Sequence, residues 1–478
     1  MIHPLYSVAQ TRAIEHAALA SLPSGTLMQR AGAAAAQWAL ELITEVRPVL
    51  VLAGPGNNGG DALDVAARLR DAGVDVTVLH RAGATQSPEK AAALARCQMD
   101  GVTFVESIPD GVTWALVVDG LFGIGLTRAI TLALPPFTCP VLALDVPSGL
   151  DGDTGTVVAG AVRATHTITF VGDKPGLHTG DGRDYAGIVR VARLDIDPAL
   201  LPAPDAELVT PAAFGAQLAP RRQNSHKGEF GDVAIIGGAD GMAGAAILAA
   251  RAALYSGAGR VFVAALDARL AFDAMHPEIM LRAAASFALA GRTLVVGPGM
   301  GDGARALLAR TIASDAPLVL DADALNALAA DPALQDAVRT RARMAILTPH
   351  PLEAARLLGV TAKVVQADRL AAARELAARC GAVVVLKGSG TVIAQPDGRV
   401  AINPTGNAGL ATGGAGDVLS GLTGTLLAQG WDAWPAALGA VWIHGAAADR
   451  LVAQGTGPIG LTAGELPAAI RAVMNSLV

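Results

Sequence analysis

The feature that most constrains this chain is an alternation of short apolar runs with alanine-rich stretches, interrupted once by prolines. In the first half the runs fall at 49–52, 74–79, 116–118, 141–144 and 167–171. Most are rich in apolar and β-branched residues, and several stop at Gly, Pro or Asp. Strands buried on both faces of a parallel sheet read this way. Between them, the segment 61–72 keeps Leu63, Ala66, Ala67 and Arg70 at helical spacing. The alternation predicts an α/β fold, a Rossmann-like doubly wound parallel sheet. Pro198, Pro202, Pro204, Pro211 and Pro220 then break any regular element. The pattern restarts at 233–236, 261–263, 294–296, 318–320, 345–347 and 383–386, which predicts a second α/β sheet. At 478 residues the chain exceeds the usual single-domain size. We expect two domains, 1–209 and 210–478, with no sequence repeat relating them.

Charge and aromatic content narrow the partners. The formal net charge is -6 and aromatics are 4% of residues. Neither attraction for a phosphate backbone nor a stacking surface for single strands is on offer, so nucleic acid is not an expected partner. Cys97, Cys139 and Cys380 lie far apart, which suits a reducing compartment and excludes a thiolate zinc cluster. The N-terminus lacks the basic and apolar regions of a signal peptide. The charge-free stretch 433–448 is interrupted by Pro435 and His444 and falls short of the roughly 20 apolar residues of a membrane span. A cytoplasmic protein without a membrane partner is expected, and its alanine-rich helical surfaces and fold class point to a homo-oligomer.

Gly54-Pro55-Gly56-Asn57-Asn58-Gly59-Gly60-Asp61 follows the first strand and opens a helix. It satisfies G-x-G-x-x-G, whose glycines let a backbone approach a phosphate at a helix N-terminus. The bland reading is a tight turn with Asp61 as a helix cap. Further strand ends carry Asp119-Gly120-Leu121-Phe122-Gly123-Ile124-Gly125-Leu126, Asp145-Val146-Pro147-Ser148-Gly149 and Gly172-Asp173-Lys174-Pro175-Gly176. In a parallel sheet these ends face one crevice, so Asn58, Asp119, Asp145 and Ser148 converge there. Oxygen ligands without His or Cys suit an alkali or alkaline-earth ion rather than zinc.

This series resembles the NAD(P)H-hydrate epimerase domain over nearly the whole first half. The resemblance implies that Asn57, Asn58, Gly59, Gly60, Asp61, Gly123, Gly125 and Leu126 hold a hydrated dinucleotide, NADHX or NADPHX. It implies K⁺ on Asn58, Asp119 and Ser148, and Asp145 as the acid/base at C6 of the nicotinamide, with Lys174 assisting. The family continues GGDG where this chain reads Gly59-Gly60-Asp61-Ala62-Leu63-Asp64, which places a second carboxylate near the pocket.

The most specific segment is Thr412-Gly413-Gly414-Ala415-Gly416-Asp417. Its glycines let successive N–H groups point into one concavity at the start of a helix expected from Asp417 to Ala428. Asp417 is placed to take the proton of an attacking hydroxyl. A glycine-rich turn capped by Asp417 is the bland alternative. No Gly-Lys-Ser/Thr occurs, which excludes a Walker loop.

This loop resembles that of the ribokinase-like fold. Ser225-His226-Lys227-Gly228, Gly297-Pro298-Gly299-Met300-Gly301, Asp321-Ala322-Asp323, Thr348-Pro349-His350-Pro351 and Leu386-Lys387-Gly388 resemble the ADP/ATP-dependent NAD(P)H-hydrate dehydratase, roughly over 222–470. That resemblance implies adenosine-nucleotide contacts at Lys387, Gly388, Ser389, Gly390, Thr391, Gly413, Gly414 and Gly416. It implies hydrate contacts at Ala245, Gly301, His350 and Asp417, with ADP as co-substrate and Mg²⁺ beside it. Leu352 stands where the family has glycine. Only five lysines occur, and Lys174, Lys227 and Lys387 all lie in glycine-flanked segments, which suggests point-charge roles beside phosphates. The rival readings are a small-molecule kinase, which uses the same loop, and a first domain that serves only as an interaction module.

Overall fold

The computed structural model describes residues 3–83, 86–125, 134–157, 160–267, 269–302 and 305–478. The chain divides into two compact units, Pro4–Ala206 and Glu207–Val478, the second of which also takes in His3.

The first unit carries strands β1 (Val49–Ala53), β2 (Val76–His80), β3 (Thr103–Val105), β4 (Leu116–Gly120), β5 (Val141–Leu144), β6 (His166–Phe170) and β7 (Ile188–Ala192). They pair in the order β3-β2-β1-β4-β5-β6-β7 and every pairing is parallel. Strand order therefore reverses between β1 and β4, where a doubly wound sheet opens its crevice. The helix Asn57–Asp71 covers β1 with Leu63, Ala66 and Ala67 fully buried. Its Arg68 and Arg70 lie in the last turn, complementing the helix dipole. Burying a leucine such as Leu63 contributes about 1.5–3 kcal/mol.

In the second unit the strands are β8 (Ala206–Leu208), β9 (Asp232–Gly237), β10 (Arg260–Ala265), β11 (Met280–Ala283), β12 (Thr293–Val296), β13 (Leu318–Leu320), β14 (Ile346–Leu347), β15 (Val383–Leu386), β16 (Val392–Ala394) and β17 (Val400–Ile402). These pair in the order β8-β17-β16-β15-β14-β13-β12-β9-β10-β11, and the short strand His3–Leu5 adds an eleventh beside β8. From β8 to β11 all pairings are parallel except β15–β16 and β16–β17. The sequence pattern did not signal this antiparallel pair, because three-residue strands show no measurable period. Here too the switch point, between β9 and β12, brings several strand ends together. The helix Ala415–Ala428, nearly all buried, packs across the centre of this sheet.

Candidate active sites

In the first unit the helix begins inside the glycine loop, at Asn57, four residues before the expected start at Asp61. The reason is packing. A Cβ on Gly59 would lie 2.0 Å from the Gly54 carbonyl oxygen, so only glycine lets the first turn rest on the end of β1. Gly60 is also buried, against Met28 and Lys90. The helix cap is Gly56, without a side-chain bond, so Asp61 is not a cap. Its carboxyl is held well above the usual range by burial first, then by the charges of Asp145, Glu15 and Asp64. Ala62 is fully buried and faces Gly120. The Asp64 carboxylate faces Gly32 and pairs with Arg68 at 2.5 Å and Arg96 at 3.4 Å. The expected second charge is thus paired with arginines on another face, yet stays close enough to add to the rise at Asp61.

Asn58, Gly123 and Asp145 do come together. A Cβ on Gly123 would lie 2.9 Å from Asp145 Oδ2 and 3.3 Å from Asn58 Cγ. Asn58 Nδ2 donates to the Leu144 carbonyl at 3.0 Å, while its buried Oδ1 has no partner. Asp119 is fully buried; its Oδ1 accepts from Ser148 Oγ at 2.7 Å and its Oδ2 from Ser148 N at 2.8 Å. Burial pushes its carboxyl up to about 6 against those hydrogen bonds. An orphaned amide oxygen and a buried carboxylate are donors suited to a hard cation. Gly125 and the exposed Asn57 flank this crevice in sequence, whereas Leu126 lies outside the described residues.

Asp145 ends β5 in the left-handed conformation, φ 67°, which costs a non-glycine residue about 1–2 kcal/mol. Its Oδ2 accepts from Ile124 N at 3.2 Å. Its Oδ1 accepts from Lys174 Nζ at 2.6 Å. Lys174 is fully buried and also donates to Thr169 Oγ1 at 2.7 Å and the Phe170 carbonyl at 2.8 Å. Sequence reasoning missed Glu15, on the helix Val8–Leu19. Burial and the Asp145 charge raise its carboxyl, which places a third acid by the crevice. No motif marks it, because it comes from a helix outside the glycine series.

In the second unit the helix starts at Ala415, two residues earlier than expected, with Gly414 (φ 91°) as a cap lacking any side-chain bond. Asp417 is its third residue and not its cap. Ala415 N donates to the Thr412 carbonyl at 3.4 Å and Val418 N to the Gly414 carbonyl at 3.1 Å, so the amides of this turn available to a ligand are those of Gly416 and Asp417. Burial, then Asp321, push the Asp417 carboxyl up to about 6, with Lys387 opposing and Asp323 adding. Lys387 Nζ donates to Asp321 Oδ1 at 2.8 Å and lies 4.0 Å from Glu353 Oε2. A Cβ on Gly416 would sit 3.3 Å from Lys387 Nζ, so this glycine keeps the ammonium accessible.

His350 caps the helix Pro351–Leu358: its Nδ1 accepts from Leu352 N and Glu353 N, and Glu353 Oε2 accepts from His350 N. This reciprocal box fixes the ring and accommodates Leu352, which is exposed. Burial pushes Glu353 up to about 7. Gly301 N donates to Asp323 Oδ2 at 2.9 Å, and a Cβ on Gly299 would meet Ala245. Thr391 Oγ1 closes its loop on the Gly388 carbonyl at 3.1 Å, leaving Gly388 and Ser389 exposed and Gly390 buried. Gly413 is exposed and a Cβ there would meet nothing. Lys227, unlike Lys174 and Lys387, is exposed, at the start of the short 3-10 helix Lys227–Phe230. His444, fully surrounded behind Ala415 and pushed down to about 4 by burial, was also missed, since a lone histidine in an apolar helix carries no motif.

Among the described residues no helix is long and apolar enough to cross a membrane. Residues 233–471 match the family described as NAD(P)H-hydrate dehydratase, and 24–176 match the YjeF-related protein N-terminus. The chain is 36% identical to the bifunctional NAD(P)H-hydrate repair enzyme Nnr of Escherichia coli (strain K12), over 94% of this chain and 89% of that protein. It is 37% identical to the enzyme of the same description from Coxiella burnetii, over 98% and 99%. The ADP-dependent (S)-NAD(P)H-hydrate dehydratase of Neisseria meningitidis is 46% identical over 56% of this chain and 94% of its own length. Among solved structures, the ADP/ATP-dependent NAD(P)H-hydrate dehydratase of Bacillus subtilis, co-crystallised with ATP and Mg²⁺, matches with TM-score 0.50 and 32% identity. It covers 57% of this chain and 98% of that one.

Proposed function

The chain belongs to the bifunctional NAD(P)H-hydrate repair enzymes, and from that premise we propose that Asp145 is the acid/base of its epimerase half and Asp417 the base of its dehydratase half. We assign the epimerase to 1–209 and the dehydratase to 210–478. The enzyme interconverts the R and S hydrates of NADH and NADPH. It then dehydrates the S epimer to NAD(P)H at the expense of ADP, releasing AMP and phosphate.

Inverting a carbon that carries a hydroxyl and a ring nitrogen requires one of those bonds to break and re-form. Either route needs a group that gives and takes a proton. Asp145 is the group at the crevice, and Lys174 holds it from behind through Oδ1. Asn58, Asp119 and Ser148 would hold K⁺, which supplies positive charge beside the dinucleotide. Asp61, its carboxyl raised by burial and by the Asp145 charge, stands beside Asp145 at the dinucleotide loop.

In the dehydratase, Asp417 takes the proton of the C6 hydroxyl, whose oxygen attacks the terminal phosphorus of ADP. AMP leaves, and C6 then carries a phosphate ester. The C6–O bond breaks with its electron pair on phosphate, pushed by the ring nitrogen lone pair. Loss of the C5 proton restores the ring double bond. The open amides of the first helical turn and Lys387 stabilise charge on the phosphoryl group in transit, and Mg²⁺ accompanies the nucleotide and offsets its charge. The observation that carries this reading is that Lys387 hydrogen-bonds Asp321 and leaves Asp417 beside it as a raised, accessible base.

The test is recovery of absorbance at the NADH band from mixed hydrate epimers with ADP. Wild type should recover all of it and Asp417→Ala none, while Asp145→Asn should stop at the S fraction. A stable phosphorylated product with no recovery would make the second half a kinase. Full recovery by Asp145→Asn would remove Asp145 from the epimerase.

A further inference from the structure

The first unit buries one cation that the chemistry above does not use. Lys90 is only 2% exposed, and its Nζ donates to the Gly54 carbonyl at 2.6 Å. Among the described residues no carboxylate pairs with it, and burial alone pushes its ammonium down. A buried ammonium without a counter-charge is costly, and replacing it by a methylene chain is the cheaper solution for packing alone. Its position adds to the cost. Ser87 caps the helix Pro88–Met99 and accepts from Lys90 N at 3.3 Å, so Lys90 stands in the first turn, at the positive end of the dipole.

Close by is a second basic group without a partner. His80 is the last residue of β2, in register with Ala53 at the end of β1. Its ring meets Phe104 edge-on at 6.5 Å, and its buried Nε2 has no hydrogen-bond partner. Burial first, then the Lys90 charge, holds the imidazole below its ordinary range. Both basic groups therefore stand at the end of β1, Lys90 on the carbonyl of Gly54, the first residue of the glycine loop, and His80 in register with its neighbour Ala53, close enough for the Lys90 charge to act on the imidazole. In doubly wound dinucleotide folds the end of the second strand, about 20 residues beyond the glycine loop, meets the ribose 2′ position. A carboxylate there reads a 2′-hydroxyl, whereas cationic groups accept a 2′-phosphate. His80 lies 20 residues beyond Gly60.

We infer that Lys90 and His80 form a subsite for a phosphomonoester, the ribose 2′-phosphate that distinguishes hydrated NADPH from hydrated NADH. The inference rests on the epimerase reading and adds a substrate preference to it. Both other sources of positive potential at this loop, the open first turn of Asn57–Asp71 and the K⁺ site, act on either substrate alike. Lys90 and His80 act on one.

The test is epimer exchange by the full-length enzyme, followed by chromatographic separation of R and S forms, with each hydrate supplied separately and no ADP. Lys90→Met should lower kcat/KM for hydrated NADPH, chiefly through KM, so that the ratio of the two substrates' kcat/KM values falls about tenfold or more. Lys90→Arg should restore most of that ratio. His80→Gln, which keeps the size of the side chain, should shift it in the same direction if Lys90→Met fails to fold. Equal losses on both hydrates would overturn the inference, pointing to the shared pyrophosphate or to a tether between Lys90 and the loop. An unchanged ratio in both variants would overturn it as well. If wild type exchanges neither hydrate, the epimerase reading falls first, a result distinct from either.

Discussion

Lys174 and Lys387 each stand behind an aspartate at a strand end, but they are connected differently. Lys174 is sealed from solvent and bonds Asp145 itself, with three further oxygens completing its shell. Lys387 keeps some exposure and bonds Asp321, one residue removed from the chemistry, so Asp417 feels its charge without being tied by it. The first arrangement fixes a carboxylate in place for a reaction that must run equally well in both directions. The second leaves a carboxylate poised near pH 6 for a reaction that runs one way, and leaves the ammonium free to meet a phosphate. On the roles proposed above, the same pair of residue types serves reversibility in one unit and irreversible transfer in the other.

The contrast breaks most sharply on the aspartates. Asp417→Ala should cut ADP-dependent dehydration about 10²–10⁴-fold while leaving epimer exchange running, and Asp145→Asn should do the reverse by a similar factor. Loss of both activities in either variant would mean that the two sites are not separate. Next in size are the lysines. Lys174→Met strands a buried carboxylate and should destabilise the first unit by about 3–5 kcal/mol, read by urea unfolding. A loss under about 1 kcal/mol would show that the pair contributes less than its burial implies.

Proton dependence sharpens the comparison further. Asp417 acts as a base, so kcat/KM for dehydration should fall as pH drops below about 6, where its carboxyl takes up a proton. Lys387 lowers that value, so Lys387→Met should move the acid limb to higher pH, whatever it does to nucleotide affinity. A limb that stays put would separate the lysine from the base. The smallest expected effect concerns Asp119. Its folded value, about 6, is above the ordinary 3.8, so its contribution to stability is present in full below about pH 4 and lost as pH rises through 6. A cation held beside it would offset that loss. Potassium, compared with tetramethylammonium, should therefore raise the unfolding temperature by a few degrees more at pH 8 than at pH 5, and Asn58→Ala should remove the difference.

The α/β class and both glycine loops were legible because strands such as Val49–Ala53 and the helices between them keep their period over enough residues. What period could not give was how each loop is used. Gly59 and Gly60 read as a phosphate cradle, yet they are buried in contacts that start a helix early, while Gly413 and Gly416 stay open. Both expected helix starts were late for one reason: an aspartate after glycines looks like a cap, and in each loop a glycine is the cap instead. Glu15, Lys90 and His444 escaped notice because their roles come from burial against distant segments. Flanking glycines did not tell the exposed Lys227 from the buried Lys174.

The buried residues around β1 and those around the helix Ala415–Ala428 form cores that share no residue. Each half can therefore acquire substitutions on its own, yet both are translated from one message in a fixed ratio of one to one. A cell carrying this chain cannot make the dehydratase without an equal number of epimerases. Hydrate of the wrong hand then has a converter for every consumer, at any level of expression.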